Sequence, residues 1–479
     1  MDLHKPPDEN SSEVSAAEEA LPQDGNTSSA AETYMPSNKE MRKDVIQLAW
    51  PSVTELVLIS LMGLVDNIMV GRLGTYAITA VGLTNQPRLL FLATFVAMNV
   101  GATALIARFK GADNKEDANK VLRQNLLLTL LLSIIVSAAG YFIIEPFLAW
   151  VGAGPDTLPY ATSYMKIQLL GLISNTLALA ITAALRGAGN TRASMFVNLT
   201  ANVCNVFFNY GLIYGNFGMP ALGVAGASLA TVIGQVIGCV LAFCMVVGRH
   251  QYVSLRDPGS WKPDFPMIRR IVRIGIPSMI EQLVMRVGMT TFVRTVSSLG
   301  TAVFAAHQIS LNILQLTFTN GQAFGIAATT LVGQSLGKGR PDLAKAYARQ
   351  TQRLCMVLSI VLASCFILFG AQLAGLFTED QTVIAMSVPI LMMVAALQPF
   401  QNSYMVYAGA LRGAGDTRSV AIITGIGIML IRPGLAAFNV NVLSWGLTGA
   451  WVALVFDQLF RFAFGLVRFR RGKWVNIKV

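Results

Sequence analysis

The chain has 479 residues, of which 54% are hydrophobic and 13% charged, with a formal net charge of +11. A soluble domain carries about 25% charged residues, so this composition excludes an ordinary soluble core and points to a polytopic membrane protein. Its length then counts spans rather than soluble domains, each span needing about 20 apolar residues.

Residues 1–41 are acidic, rich in Ser and Ala, and poor in large apolar side chains. Such a segment buries too little surface to offset its ordering entropy and is expected to be a disordered cytoplasmic tail. It lacks the basic start, apolar stretch and cleavage site of a signal peptide, so the first span is expected to direct insertion. Twelve apolar segments follow, near 46–70, 78–107, 121–144, 160–184, 193–214, 222–248, 271–298, 305–333, 350–376, 383–411, 419–439 and 445–467. Backbone polar groups must pair internally in lipid, so each is expected to be a helix. The expected fold is an all-α membrane protein with twelve transmembrane helices.

The first span carries Glu55 and Asp66. A separation of eleven residues is nearly three turns, so both lie on one face, about 16 Å apart along the axis. An ionisable group in hydrocarbon costs on the order of 2.5–3.5 kcal/mol and survives mostly where it faces a cavity or a partner. Asp66 is a candidate for holding a cation, a proton or a cationic substrate. The plainer reading is an interfacial Asp at the helix end, beside Asn67 and before Gly71-Arg72. Asn175 lies in the fourth span, and the fifth carries Asn198, Asn202, Asn205 and Asn209 at spacings that place all four on one stripe. Asn175, Asn202, Asn205 and Asn209 are the candidate polar pocket of the N-terminal half. Amides also join membrane helices to one another by hydrogen bonds.

A charged segment, 249–270, separates the sixth and seventh spans. Glu281 follows near the middle of the seventh. It is expected to face a polar cavity, where a carboxyl can carry a proton through a cycle; the alternative is a structural pair with Arg286 or Arg294 of another helix. Asp457 in the twelfth span has Arg461 four residues on, the spacing of a helical ion pair. Five cysteines lie within apolar runs without a C-x-x-C spacing and read as packing residues, with no disulfide framework and no metal site.

The chain repeats itself. "ALRGAGNTR" at 184–192 returns as "ALRGAGDTR" at 410–418, an offset of 226. At that offset Pro51 meets Pro277, Glu55 meets Glu281, and Leu73-Gly74-Thr75 meets Leu299-Gly300-Thr301. Near the end the offset falls to 223, where "GVAGASLATVIGQ" lies over "GLTGAWVALVFDQ". A six-helix unit has been duplicated. Six is even, so both units enter the bilayer in the same direction, as parallel repeats about an axis along the membrane normal. The expected lobes are 42–248 and 271–467, joined by the 249–270 linker and followed by a basic tail, 468–479. Glu55 is then the symmetric acid of Glu281. The repeated phrase reads as a short turn whose glycines let the chain reverse. Its Asn190 or Asp416 caps the next helix, its arginines anchor at the membrane face, and transport is placed elsewhere.

Lys and Arg crowd alternate loops. Arg108, Lys110, Lys115, Lys120 and Arg123 lie between spans two and three, six Arg or Lys residues between six and seven, and five between eight and nine. By the positive-inside rule both termini are cytoplasmic. The basic balance is a topology signal, and no nucleic-acid partner is expected. Enzyme signals are weak: no Walker loop, paired metal ligands or nucleophile constellation appears, and His4, His250 and His307 stand apart. No cofactor is expected, and an ion gradient is the expected energy source.

These residues resemble the multidrug and toxic-compound extrusion (MATE) family. The likeness rests on "PSVTELVLISLMGLVDNIMVGRLG", the paired phrase, "GQAFGIAATTLVGQSLGKGR" and the duplication, and covers about 42–470. It implies antiport, in which H+ or Na+ enters as an amphipathic, often cationic, small molecule leaves. It also implies that Asp66 and Glu281 hold the coupling cation. Asn205 and Asn209 match an Asn-x-x-x-Asp pair of some members, with Asn209 here replacing the acid. A helix-ten acid of other members falls at or near Gln401-Asn402, also neutral. The expectation is a monomeric multi-pass exporter of the cell inner membrane. Two other readings are a lipid-linked oligosaccharide flippase, for which Arg286 and Arg294 are candidate pyrophosphate ligands, and a non-transporting scaffold.

Overall fold

The structure, a computed structural model, describes residues 34–248 and 251–477. The disorder expected of residues 1–33, and the placements of His4 and His250, lie outside the described residues. Among them the chain forms twelve spans: α1 (Asn38–Gly71), α2 (Thr75–Gly111), α3 (Lys115–Val151), α4 (Leu158–Gly187), α5 (Thr191–Tyr214), α6 (Gly223–Val247), α7 (Phe265–Ser297), α8 (Thr301–Gly337), α9 (Pro341–Gly375), α10 (Gln381–Gly413), α11 (Thr417–Asn441) and α12 (Gly446–Arg470). Nine are long and apolar enough to cross a membrane by length and composition. The three that fall short are α5, with its asparagines, α7, with its arginines and Glu281, and α8, with its His, Asn and Gln side chains. Neighbouring helices cover some of these polar groups, among them Asn205, Asn209, Glu281 and His307.

Local chemistry sets the helix starts. Asn114, Asn190 and Asp264 cap α3, α5 and α7 by accepting backbone N–H bonds at 3.0, 3.0 and 2.9 Å. Two expected boundaries shift. Helix α1 begins at Asn38, so residues 38–41 of the expected tail are helical. Residues 265–270 of the expected linker belong to α7, because the Asp264 cap and Pro266 in the first turn favour an earlier start. The C-terminal segment is held down: Trp474 is fully buried, and its indole N–H donates to the Phe469 carbonyl.

The halves pack as parallel repeats. α2 lies against α7 and α8, and α1 against α8, so the first two helices of each half meet the first two of the other. Their backbones approach most closely at the end bearing the repeated phrase. There a Cβ on Gly111 would overlap the Gln334 backbone, and one on Gly337 the Arg108 backbone. These glycines are 226 residues apart, and only glycine permits so close a crossing. Side-chain hydrogen bonds gather at the same end: Thr330 Oγ1 donates to the Arg186 carbonyl at 2.9 Å, and the Tyr347 hydroxyl to Asp44 at 2.6 Å. Outward faces expose large apolar side chains, among them Leu131, Phe142, Trp150, Leu368 and Leu376, as lipid-facing surfaces do.

Two short segments strap the phrase-bearing end. Residues 251–264 lie over the start of α3. Val253 is buried there, Asn119 accepts from the Ser254 backbone at 2.8 Å and donates to Asp257 at 2.8 Å, and Lys115 pairs with Asp257 at 2.9 Å. Residues 471–477 lie likewise over the start of α9, where Trp474 joins Leu343, Ala344 and Tyr347 in one core.

Candidate functional site

Two clasps of one design stand at repeat-equivalent places. On α1 Glu55 accepts from Arg186 Nη1 at 3.1 Å, from Ser194 at 3.3 Å and from Asn198 Nδ2 at 2.7 Å. On α7 Glu281 accepts from Arg412 Nη2 at 2.6 Å and from Thr424 at 3.2 Å. Arg186 and Arg412 belong to the two copies of the repeated phrase. Glu281, expected in a polar cavity or paired with Arg286 or Arg294, is instead buried against Arg412. Arg286 and Arg294, both on α7 itself, are exposed. An ion pair with a neutral third donor satisfies a buried carboxylate, so each clasp pins its lobe's first helix to the turn between the fourth and fifth. The phrase is more than a turn. Its Gly189 and Gly415 adopt φ of +82° and +86°, while Gly187 and Gly413 let the backbone pass a neighbouring helix. Asn190 caps α5, but Asp416 does not cap α11: its carboxylate is taken by Arg468 at 2.7 Å and Ser419 at 2.8 Å.

Asp66 is different. It sits half-buried about three turns beyond Glu55 on α1, and the structure brings it against Asn205 and Asn209 of α5. Asn209 Nδ2 donates to Asp66 Oδ1 at 2.7 Å. The Asn205 amide, with its oxygen toward Thr231 of α6, donates to the two carboxylate oxygens at 3.0 and 3.1 Å. Arg88 of α2 lies within electrostatic range, yet among the described residues no basic side chain is within ion-pair distance of Asp66. The buried acids Glu55, Glu281, Asp416 and Asp457 each have an arginine. Such a carboxylate, held by neutral amides and open on one side, has an uncompensated charge to offer a proton, a cation or a cationic group.

The other candidates scatter. Asn202 donates to the Asn198 carbonyl of its own helix at 2.7 Å. Asn175 lines a narrow cleft with Arg88, Gln168 and Gln235. Asn402 donates to Ser359 at 2.8 Å, and Gln401 is buried with its oxygen unpartnered. Asp457 pairs with Arg461 at 3.1 Å, but its shorter partner is Arg432 of α11, at 2.6 Å. Arg432 lies inside an apolar run, where only a count of charges in the eleventh span singles it out. Arg186 and Arg412 were visible as residues, but their contacts with Glu55 and Glu281 are long-range and no local pattern encodes them.

The MatE family model matches residues 51–211 and 277–438, one copy in each half. A probable multidrug resistance protein NorM of Thermotoga maritima is 30% identical over 443 residues, covering 92% of this chain and 95% of the relative. The multidrug resistance protein PmpM of Pseudomonas aeruginosa is 29% identical, covering 86% and 88%. Among solved structures, a MOP superfamily transporter from Pyrococcus furiosus superposes with a TM-score of 0.84 at 23% identity, covering 91% of this chain and 97% of that one. The matched segments lie within the two helical repeats, ending in α5 and α11, and hold Asp66, both clasps and both copies of the phrase, and on that ground the chain belongs to the MatE family of bacterial multi-pass membrane transporters.

Proposed function

We propose that this chain is a cation-coupled antiporter that takes in H+ or Na+ and exports amphipathic, often cationic, small molecules as a monomer in the cell membrane. Asp66 is its coupling carboxylate, steadied by Asn205 and Asn209. The observation that carries the reading is the contrast among acids: Glu55, Glu281 and Asp457 are matched by arginines, whereas Asp66 meets only neutral donors at bonding distance. The multidrug-resistance names of the relatives support the substrate class. The crowding of Lys and Arg at the phrase-bearing end supports a cytoplasmic position for that end and for both termini.

The cycle follows from linkage. A cation bound at Asp66 cancels the charge that a cationic substrate needs, so each weakens the other's binding. Loading from outside releases substrate outward, and cation loss to the cytoplasm restores affinity there. The two lobes rock about their shared contact of α1 and α2 with α7 and α8 to expose the site to each side in turn. Efflux of a cationic dye from energised cells tests this. Asp66→Asn is expected to abolish gradient-driven efflux while leaving the amount of protein in the membrane unchanged. Undiminished efflux by that variant would sink the proposal.

A further inference from the structure

The two halves are duplicates, so the Asp66 site has a counterpart in the second half, and its residues can be named. The position 226 beyond Asp66 is Phe292, on the same face of α7 as Asp66 on α1. Asn198 and Thr424, 226 apart, make equivalent bonds to Glu55 and Glu281, so α5 and α11 are in register to that point. Ile426–Ile431 is then π-helical, and a π-helical turn takes up one extra residue. The counterpart of Asn205 is therefore Arg432. On the twelfth helix, at the offset of 223, Asp457 and Arg461 replace Gly234 and Gly238.

The polarity is reversed. Where the first half has an acid held by amides, the second has the Arg432 guanidinium lying over the Phe292 ring, 5.7 Å from its centre. Arg432 gives two hydrogen bonds to Asp457 Oδ2, at 2.6 Å from Nη2 and 3.0 Å from Nε, and Arg461 gives a third at 3.1 Å. All three residues are at most 4% exposed, and the other carboxylate oxygen of Asp457 has no partner. Two guanidinium groups to one carboxylate leave this place already positive, which disfavours a second cation.

We infer that Arg432 is a tethered cation occupying the second-half counterpart of the Asp66 site, so that the transporter loads its coupling cation in the first half alone. The inference rests on the antiport reading above. Arg432 is a positioning and specificity residue here, replacing a mobile ion with a fixed one and setting the number of cations per cycle. The extra residue in α11 is what brings it into the place of Asn205.

The test counts cations on the purified full chain in lipid nanodiscs. The probes are radioactive sodium at equilibrium and, separately, protons taken up after an acid step, scored as differences from the wild type. Asp66→Asn is expected to lose one equivalent of one of the two ions, and Asp457→Asn to lose none. Arg432→Gln/Arg461→Gln, which frees Asp457 of both guanidinium groups, is expected to gain one equivalent of that ion, and the gain should vanish when Asp457→Asn is added. Arg432→Lys, which keeps the charge, should match the wild type and shows whether the site tolerates substitution. Loss of an equivalent in Asp457→Asn overturns the inference, as does a folded Arg432→Gln/Arg461→Gln that gains none. Should Asp66→Asn lose nothing, the antiport reading fails, and the Arg432 arm still decides whether the second-half place is held by a tethered cation.

Discussion

Arg186 and Arg412 carry more of the structure than their surroundings in the chain suggest. Each is the charged partner of a glutamate whose side chain is 3% exposed. Removing one partner of a buried pair leaves the other charge uncompensated, at about 3–5 kcal/mol. Arg186→Gln is therefore expected to lower the thermal midpoint of the purified protein clearly. Glu55→Gln/Arg186→Gln should cost less than the two single changes added, because no orphan charge remains; strict additivity in that cycle would show that the pair does not interact. Arg412→Gln and Glu281→Gln should repeat the pattern in the second half. The candidate site was partly legible at this scale. Asp66 and the asparagine stripe stand out because ionisable and amide groups are rare in apolar runs. Whether an acid is free or paired is decided 131 to 143 residues away, beyond the reach of helical periodicity.

At the scale of elements, the helices themselves were legible because lipid leaves the backbone no alternative to internal pairing. Their ends were less so. The early start of α7 and the ordered segments at 251–264 and 471–477 depend on caps and on burial of Val253 and Trp474, which a hydropathy profile does not register. The first strap makes a pH-dependent prediction. The hydrogen bond from Lys115 holds the Asp257 carboxyl below its ordinary value of 3.8. A depressed acid adds stability that is fully present above its unfolded value and is lost as pH falls through its folded one. Asp257 is partly exposed, so the effect is small. Asp257→Asn is expected to lower the midpoint by about 1–2 °C at neutral pH, and the difference should shrink to nothing as the pH falls below about 4. A difference that persists unchanged in acid would assign the effect to something other than the ion pair.

The whole molecule is two copies of one unit meeting across Gly111 and Gly337, and the duplication was legible because a nine-residue phrase survived nearly unchanged in both copies. How the copies meet was not, since glycines signal freedom without saying what approaches them. Gly337→Val is expected to force α2 and α8 apart at the phrase-bearing end. Efflux should fall at least tenfold with the protein still in the membrane. A cysteine placed at Thr330, in a background lacking the native cysteines, should react faster with a membrane-impermeant reagent from that side. Equal reactivity would mean that the crossing does not seal this end.

The paired straps bear on how such a chain arose. Residues 251–264 close over α3 as residues 471–477 close over α9. The linker and the C-terminal segment thus take similar places in the two units. The second strap also reaches the other lobe, because Arg108 of α2 donates to the Ile477 carbonyl at 2.9 Å. Two separate genes, one ending after the first strap and one beginning just before Asp264, should then yield polypeptides that find each other in the membrane and export dye as a pair.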